Sequence, residues 1–185
     1  MKKIAIIYYS KACYTEKIAK QIAIGIENNE AKPILYTTRN AIEKVNDLAN
    51  VDAEVFGSPT YFGSVAAEFK EFMDSTMNIW QKRQWADKIA ACFTTSSSLS
   101  GDKLNTLMQM AIFAFHHGMV FVGLDLKTNT KLASQSTEQL NRLGSWLGLM
   151  AQVNFNAKED SESDKLTAQY FGQRIAEITN KFNNK

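Results

Sequence analysis

The sequence opens with a short apolar run that stops abruptly at a loop rich in hydroxyl groups. The run is Ile4–Tyr9, the loop is Ser10–Thr15, and apolar residues then recur at helical spacing over Ile18–Ile26. In a strand–loop–helix unit of this kind, the first amides of the helix have no internal partner. Since the helix dipole favours negative charge at the same end, the segment predicts a site for an anion such as phosphate.

Strand-like and helix-like patterns alternate along most of the chain. Strands are predicted at 4–9, 33–36, 53–57, 88–94 and 119–124, and helices at 15–28, 65–77, 103–116 and 160–182, with a weak helix or irregular connection at 41–48. Strands separated by helices indicate an α/β fold with a parallel sheet covered on both faces, and right-handed connections make it doubly wound. We predict a single domain over residues 1–185, with five parallel strands in the order 2-1-3-4-5.

One stretch, residues 125–159, shows neither pattern clearly. We interpret it as an insertion at the surface or at a contact between subunits. Its apolar patch, Leu143–Met150, is unusual for a surface segment and favours an interface.

Composition and charge exclude several classes of function. The formal net charge is +2, which is too small to predict nucleic acid or a membrane surface as partner. No apolar run reaches the roughly 18 residues that a membrane span needs. The run after Lys2 and Lys3 is short and lacks a small-residue cleavage site, so we interpret it as a strand, not a signal peptide. Cys13 and Cys92 fit neither a zinc motif nor a disulfide framework, which predicts a reduced, cytoplasmic setting without a metal.

Ligands of such sheets bind outside the carboxyl ends of the strands, beside strand one. The loop found there consists of Ser10, Lys11, Ala12, Cys13, Tyr14 and Thr15. Its hydroxyls and amides suit a phosphate monoester, although an ordinary turn with Thr15 as N-cap is an equal alternative. The glycine patterns of dinucleotide and triphosphate sites are absent, which indicates a mononucleotide.

Two further loops follow strands three and four. The first contributes Pro59, Thr60, Tyr61, Phe62 and Gly63; the second contributes Thr95, Ser96, Ser97, Ser98 and Gly101. Exposed loop aromatics suit a flat heteroaromatic ring, and a serine-rich loop suits the polar edge of such a ring. Each loop alone also has a purely structural interpretation: the first could be a turn whose aromatic residues cap the core, and the second could be a simple serine-rich connection. The three together predict a ligand with a flat ring and a phosphate tail.

Several of these segments resemble a known family. Tyr8–Thr15 resembles the phosphate loop of flavodoxin-like proteins. Phe56–Gly63 closely resembles the isoalloxazine loop of NAD(P)H:quinone oxidoreductases of the tryptophan-repressor-binding-protein type. Trp80, Phe115–Val120 and the segment 160–182 match that family as well. The resemblance implies a flavodoxin-like fold, non-covalent FMN, two-electron transfer from NAD(P)H to a quinone or similar acceptor, and a homo-oligomer, either a dimer or a tetramer.

The resemblance also assigns roles to residues. It implies that Ser10–Thr15 hold the phosphate, that Pro59–Gly63 line the flavin ring, and that Ser96–Gly101 lie on its other edge. Trp80 and His117 would face the substrate pocket, Trp80 from a neighbouring subunit. His117 is then the candidate catalytic residue, donating a hydrogen bond or proton to the reduced quinone; the alternative is a helix-end histidine that complements the dipole.

Cys13 stands where the family usually has glycine. A side chain at this position is expected to crowd the phosphate or to force a different backbone. A thiol at a helix N-terminus also leaves open a redox-sensing role.

Two functions of other classes compete with the enzyme. One is a flavodoxin-type electron carrier, but such carriers are usually acidic, and the net charge of +2 argues against it. The other is a flavin-free regulatory module that keeps the fold, which the cysteine at position 13 leaves open.

Overall fold

The computed structural model describes residues 1–128, 139–153 and 161–182. Its strands are β1 (Lys2–Tyr8), β2 (Ala31–Thr37), β3 (Ala53–Tyr61), β4 (Ser64–Val65), β5 (Ile89–Ser96), β6 (Val120–Phe121) and β7 (Leu149–Gln152). Its helices are α1 (Tyr14–Glu27), α2 (Thr38–Glu43), α3 (Ala67–Ser75), α4 (Met77–Gln81), α5 (Lys103–His116) and α6 (Glu162–Phe182), with a 3₁₀ turn at Val45–Asn50. Among the helices in these ranges, none combines the length and the apolar character needed to span a bilayer.

The sheet confirms the predicted fold class. Strands β2, β1, β3 and β5 lie side by side and parallel, with Ile6 opposite Leu35 on one side and Val55 on the other. The short β4 only folds back on the end of β3 as a hairpin. The strand order is therefore the predicted 2-1-3-4-5. In it, β5 is the fourth parallel strand, and the fifth position lies at the edge of the sheet beyond β5.

That last position is shared by two short strands. β6 pairs with the beginning of β5, where Ile89 faces Val120, and β7 pairs with the end of β5, where Phe93 faces Leu149. Residues 149–152 thus belong to the sheet, although the sequence analysis assigned them to the insertion. Their alternation of buried and half-buried residues is only four residues long, too short to stand out in the sequence. Residues 129–138 and 154–159 of the predicted insertion, and residue 160 of the predicted last helix, lie outside the described residues.

On one face of the sheet, α1 packs directly against α6. The two helices approach so closely that a Cβ atom added at Gly25 would lie 1.9 Å from the carbonyl oxygen of Gln169, and one added at Gly172 would lie 2.1 Å from that of Ile22. Both contacts are with backbone, which cannot move aside. The crossing therefore requires glycine in both helices, and it fixes the position of α1 and of the loop that precedes it.

On the other face, an aromatic cluster holds α3 and α5 against the sheet. Phe56 of β3 lies at its centre, with ring centroids 5.3 Å from Phe113, 6.0 Å from Trp85 and 6.4 Å from Phe69. All four side chains are fully or almost fully buried. Burying rings of this size is a major source of stability, and the cluster fixes the helices that flank the carboxyl end of β3.

A buried carboxyl group lies near the opposite, amino end of the strands. Glu54 is completely buried, and neither of its carboxyl oxygens has a hydrogen-bond partner among the described residues. Lys88 Nζ is 3.7 Å away but donates instead to the carbonyl oxygens of Leu48 and Ala49, at 3.2 and 2.8 Å. Burial raises the pKa of Glu54 well above its usual value, since the charged form is poorly solvated there.

We predict that Glu54→Gln becomes increasingly stabilising as the pH rises. A carboxyl group whose pKa is raised by folding favours the folded state below its unfolded pKa of about 4.3, and this contribution is lost as the pH rises through the folded pKa. Glutamine does not ionise, so the free energy of unfolding of the variant should exceed that of the wild type by about 1–2 kcal/mol at pH 8 and by much less at pH 5. Urea unfolding across this range measures the difference. A wild type that gains stability over the variant with rising pH would contradict the prediction.

Candidate cofactor cleft

Three loops meet at the carboxyl ends of β1, β3 and β5 and enclose a cleft of about 330 Å³. Each of the predicted cofactor-binding residues except Cys13 lines this cleft, and Asp102 and Val153 join them. The full lining is Ser10, Lys11, Ala12, Tyr14, Thr15, Pro59, Thr60, Tyr61, Phe62, Gly63, Thr95, Ser96, Ser97, Ser98, Gly101, Asp102 and Val153. The topology thus brings together loops that are about 90 residues apart in sequence.

The first loop wraps the amino end of α1. Ser10 Oγ accepts a hydrogen bond from the Glu16 amide at 3.3 Å, which ties the start of the loop to the first turn. Thr15 is buried, and its hydroxyl lies 2.9 Å from that of Thr95 in β5. Thr15 is therefore not the N-cap, as the sequence suggested, because Cys13 occupies that position. The hydroxyl of Thr15 joins the first loop to the third.

Cys13 has the left-handed backbone conformation, with φ of 62°. This conformation costs a side-chain-bearing residue about 1–2 kcal/mol and is the one that glycine adopts freely. The thiol is exposed to solvent, and the residue is not part of the cleft lining. The backbone at Cys13 thus has a conformation that glycine favours, and the exposed side chain does not crowd the cleft.

The second loop is a two-residue hairpin turn between β3 and β4. Phe62 and Gly63 both have positive φ, of 50° and 73°, as a type I′ turn requires. Phenylalanine is an uncommon choice at such a position. Its ring is fully exposed beside the half-exposed Tyr61. Two aromatic rings thus stand at the rim of the cleft, where the loop itself gives them little to pack against.

Side chains of α5 hold this hairpin in place. Asn105 Nδ2 donates to the Gly63 carbonyl at 2.6 Å, and Gln109 Oε1 accepts from the Ser64 hydroxyl at 3.0 Å. Below them, Thr60 Oγ1 lies 2.8 Å from Thr94 Oγ1. The Thr60 hydroxyl is therefore used inside the fold and fixes the hairpin to β5.

The third loop is organised by a residue that the sequence analysis missed. Lys103 is completely buried, and its Nζ donates to the Ser98 and Leu99 carbonyls at 2.5 and 3.0 Å and to Ser96 Oγ at 3.0 Å. Burial lowers the pKa of Lys103. A lysine in the first turn of a helix opposes the helix dipole, and this was the available signal in the sequence.

The last half-strand supplies further contacts that the sequence did not reveal. Gln152 Nε2 donates to the Ser97 carbonyl at 3.0 Å, and the Val153 amide donates to the Ser96 carbonyl at 2.8 Å. The serine-rich loop is thus held from β7 as well as from α5.

Trp80 and His117 lie elsewhere in the same chain. They line a separate apolar groove of about 630 Å³ between α3, α4 and α5. His117 is buried, its ring centroid is 4.5 Å from that of Trp85, and its Nε2 lies 3.0 Å from Thr76 Oγ1. Burial lowers the pKa of His117 to about 4. A single chain therefore does not bring these two residues to the cofactor cleft.

The cleft has the features that FMN needs. A helix amino end and the Ser10 hydroxyl face one part of it and provide hydrogen-bond donors for a phosphate. Tyr61 and Phe62 offer flat apolar surface, and the amides and hydroxyls of the serine-rich loop face them across the opening. The volume lies at the lower end of the range for small-molecule sites. The residues present therefore fit a flavin mononucleotide.

An open, doubly wound sheet with a mononucleotide cleft at its switch point defines a flavodoxin-like protein. The profile of the NADPH-dependent FMN reductase family matches residues 17–133. The chain belongs to this family, and the family resemblance noted in its loops is confirmed.

Relatives and solved structures agree with this assignment. The chain is 34% identical to flavodoxin FldP of Pseudomonas aeruginosa over 96% of its own length and 97% of that protein. It is 30% identical to an NAD(P)H dehydrogenase (quinone) of Archaeoglobus fulgidus, over 98% of its own length and 99% of that protein. The crystal structure of a WrbA-like flavodoxin from Agrobacterium tumefaciens superimposes with a TM-score of 0.78 at 29% identity, covering 99% of this chain and all of the other.

Replacing Cys13 with glycine should stabilise the protein. Relief of about 1–2 kcal/mol of backbone strain outweighs the 0.4–1 kcal/mol that glycine costs through the unfolded chain. We expect the free energy of unfolding to rise by about 0.5–1 kcal/mol, measured by urea denaturation of the apoprotein. Cys13→Ser, which retains the strain, is the matched control. The prediction fails if the glycine variant is no more stable than the serine variant.

Protonation of His117 should destabilise the fold. Its pKa is lowered to about 4 by burial, whereas an unfolded histidine titrates near 6.5. The unfolded state therefore binds more protons between these values, and the free energy of unfolding should fall as the pH drops from about 6.5 to 4. In His117→Gln, urea unfolding should show a smaller decrease in the free energy of unfolding over this pH range, because glutamine does not titrate. An imidazole NMR resonance of His117 that titrates near pH 6.5 would show the expectation to be wrong.

Proposed function

We propose that this protein is an FMN-dependent oxidoreductase that transfers electrons from NAD(P)H to a quinone or a similar acceptor. The observation that carries the proposal is the single cleft in which a phosphate-binding loop, an aromatic hairpin and a serine-rich loop meet. Membership of the NADPH-dependent FMN reductase family supports both the cofactor and the electron donor. The quinone dehydrogenase of Archaeoglobus fulgidus, similar over its whole length, supports the class of acceptor.

Different loops of the cleft bind different parts of the cofactor. The loop at 10–15 binds the phosphate through its amides and the Ser10 hydroxyl. Tyr61 and Phe62 pack on the ring, and residues 95–101 face its polar edge. When bound, FMN supplies the ring that accepts a hydride from the nicotinamide and passes two electrons to the acceptor. The protein contributes a rigid binding surface and an electrostatic environment, and hydride transfer itself requires no acid from the chain.

We further propose that the protein works as a homo-oligomer. Trp80, Met77, Ile112 and Phe115 are large apolar side chains that are each about half exposed on α4 and α5. Such surface is costly to leave in water and suits a second copy of the chain. Contact through this surface would carry the groove of Trp80 and His117 towards the cleft of a neighbouring subunit, with the cleft and groove together enclosing a substrate pocket.

Within that arrangement, His117 acts as a wall of the pocket. Its imidazole is buried and neutral at physiological pH, because burial lowers its pKa to about 4. A neutral imidazole can donate or accept a hydrogen bond but has no proton to release near pH 7. We propose a cytoplasmic location, in which Cys13 and Cys92 remain the free thiols that the structure shows.

One relative favours an alternative, a flavodoxin-type electron carrier. FldP of Pseudomonas aeruginosa, named a flavodoxin, is similar to this chain along its whole length. Electron carriers dock to partners by charge, however, and this chain has a net charge of only +2. A carrier would also need no pocket for a small acceptor beside the ring.

The test is to purify the protein, add FMN and follow NAD(P)H oxidation with and without a benzoquinone. We expect a yellow protein whose NAD(P)H oxidation depends on the quinone. Ser10→Ala should weaken FMN binding about fivefold to tenfold, since one hydrogen-bonding hydroxyl at the phosphate is lost, while riboflavin binding should be unchanged. A yellow protein that is inert to NAD(P)H would support the carrier, and a protein that takes up no FMN would contradict both functions.

A further inference from the structure

The buried ammonium group of Lys103 has no carboxylate partner. Its side chain is the first of α5 and is completely shielded from solvent. All of its hydrogen-bond acceptors are neutral and belong to residues 96–99: two carbonyl oxygens and one hydroxyl. Within the described parts of the chain, no ion pair involves this lysine.

The charged groups of other elements that act on Lys103 form an ion pair with each other. Burial has the largest effect on the pKa of Lys103 and lowers it, while Asp164 raises it and Arg142 lowers it. They form a two-pronged ion pair, with Arg142 Nε and Nη2 at 2.8 and 2.9 Å from the carboxylate oxygens of Asp164. Asp164 Oδ2 also accepts the Gln152 amide at 2.8 Å. Asp164 is therefore already paired with Arg142 and forms no ion pair with Lys103.

This arrangement is costly for the fold. A buried cation loses its hydration, and a cation at the amino end of a helix is repelled by the helix dipole. Two of its acceptor residues, Ser96 and Ser98, line the cofactor cleft. Lys103 itself is not part of the cleft lining, but its ammonium group bonds directly to two residues that are. Burying this ammonium group costs free energy of folding, and the group bonds to the cleft wall. Its placement therefore indicates a role in the cleft and not in the stability of the core.

We propose that Lys103 is a positioning residue for the flavin ring, which fixes the serine-rich loop and supplies positive charge behind the cleft wall. This proposal rests on the proposed function. Two-electron reduction gives FMN a negative charge on its ring, and a nearby cation in a poorly hydrated wall stabilises that charge. Lys103 therefore favours the reduced cofactor over the oxidised one. Binding of the oxidised cofactor benefits only from the ordering of the serine-rich loop, not from the charge.

Two variants separate the two parts of this role. Lys103→Met keeps the size of the side chain but removes both the donors and the charge. Lys103→Gln removes the charge but keeps a hydrogen-bond donor. Lys44→Met is the matched control, because it removes one exposed positive charge at the end of α2 from a residue outside the cleft. Should Lys103→Met fail to fold, Lys103→Gln carries the measurements.

The first measurement is amide hydrogen exchange on the apoprotein, which does not depend on a cofactor. In Lys103→Met, amides 96–101 should exchange at least tenfold faster, while those in the second half of α5 remain protected. Lys103→Gln should show a smaller change, and Lys44→Met none in this loop. Unchanged exchange in Lys103→Met would overturn the anchoring part of the proposal.

The second measurement compares binding of FMN and riboflavin and the midpoint potential of bound FMN. Lys103→Met should weaken both ligands by the same factor, about tenfold. Both Lys103 variants should lose a further tenfold in affinity for reduced over oxidised FMN, which lowers the two-electron potential by about 30 mV. Lys44→Met should change neither quantity.

Specific results would overturn the charge part. Weaker FMN binding with unchanged riboflavin binding would mean that the lysine acts on the phosphate. A potential unchanged in both Lys103 variants would mean that its charge does not reach the ring. If the wild type binds no FMN, the proposed function fails and the charge part fails with it, whereas the exchange result still decides whether Lys103 anchors the loop.

Discussion

The position of the cleft depends on how closely the backbones of α1 and α6 approach each other where they cross, at Gly25 and Gly172. Backbone meets backbone there, so the distance between the helices has almost no tolerance. The helix α1 carries at its amino end the loop 10–15, which we propose binds phosphate, and α6 contacts β5, which leads to the serine-rich loop. A contact deep on one face of the sheet thus determines where an anion can be held at its edge, some three helical turns away.

Hydroxyl groups then join the loops to one another. The hydroxyls of Thr15 and Thr95 meet between the first and third loops, and those of Thr60, Thr94 and Thr106 meet between the second loop, β5 and α5. Each of these groups is buried and has a partner, so none carries the penalty of an unsatisfied polar atom. The cleft is built as one hydrogen-bonded unit, which suits a site that must hold a rigid ring.

Much of this could be predicted from the sequence. Alternating strand and helix patterns were strong enough to give the sheet order, and three unusual loops identified the cleft because parallel strands place their carboxyl ends at one edge. The limits were also physical. Leu149–Gln152 is too short a strand to show its period, and the anchoring of a loop by Lys103 depends on a side-chain direction that spacing does not encode. The buried state of His117 depends on Trp85, which is distant in sequence.

The last position of the sheet is occupied by two short strands, β6 and β7, which support different parts of the molecule. β6 pairs only with the beginning of β5, at the end away from the cleft, while β7 and the residue after it hold the serine-rich loop through Gln152 and Val153. A change in β6 therefore acts on the amino end of β5, whereas a change at Gln152 or Val153 acts directly on the wall of the cleft.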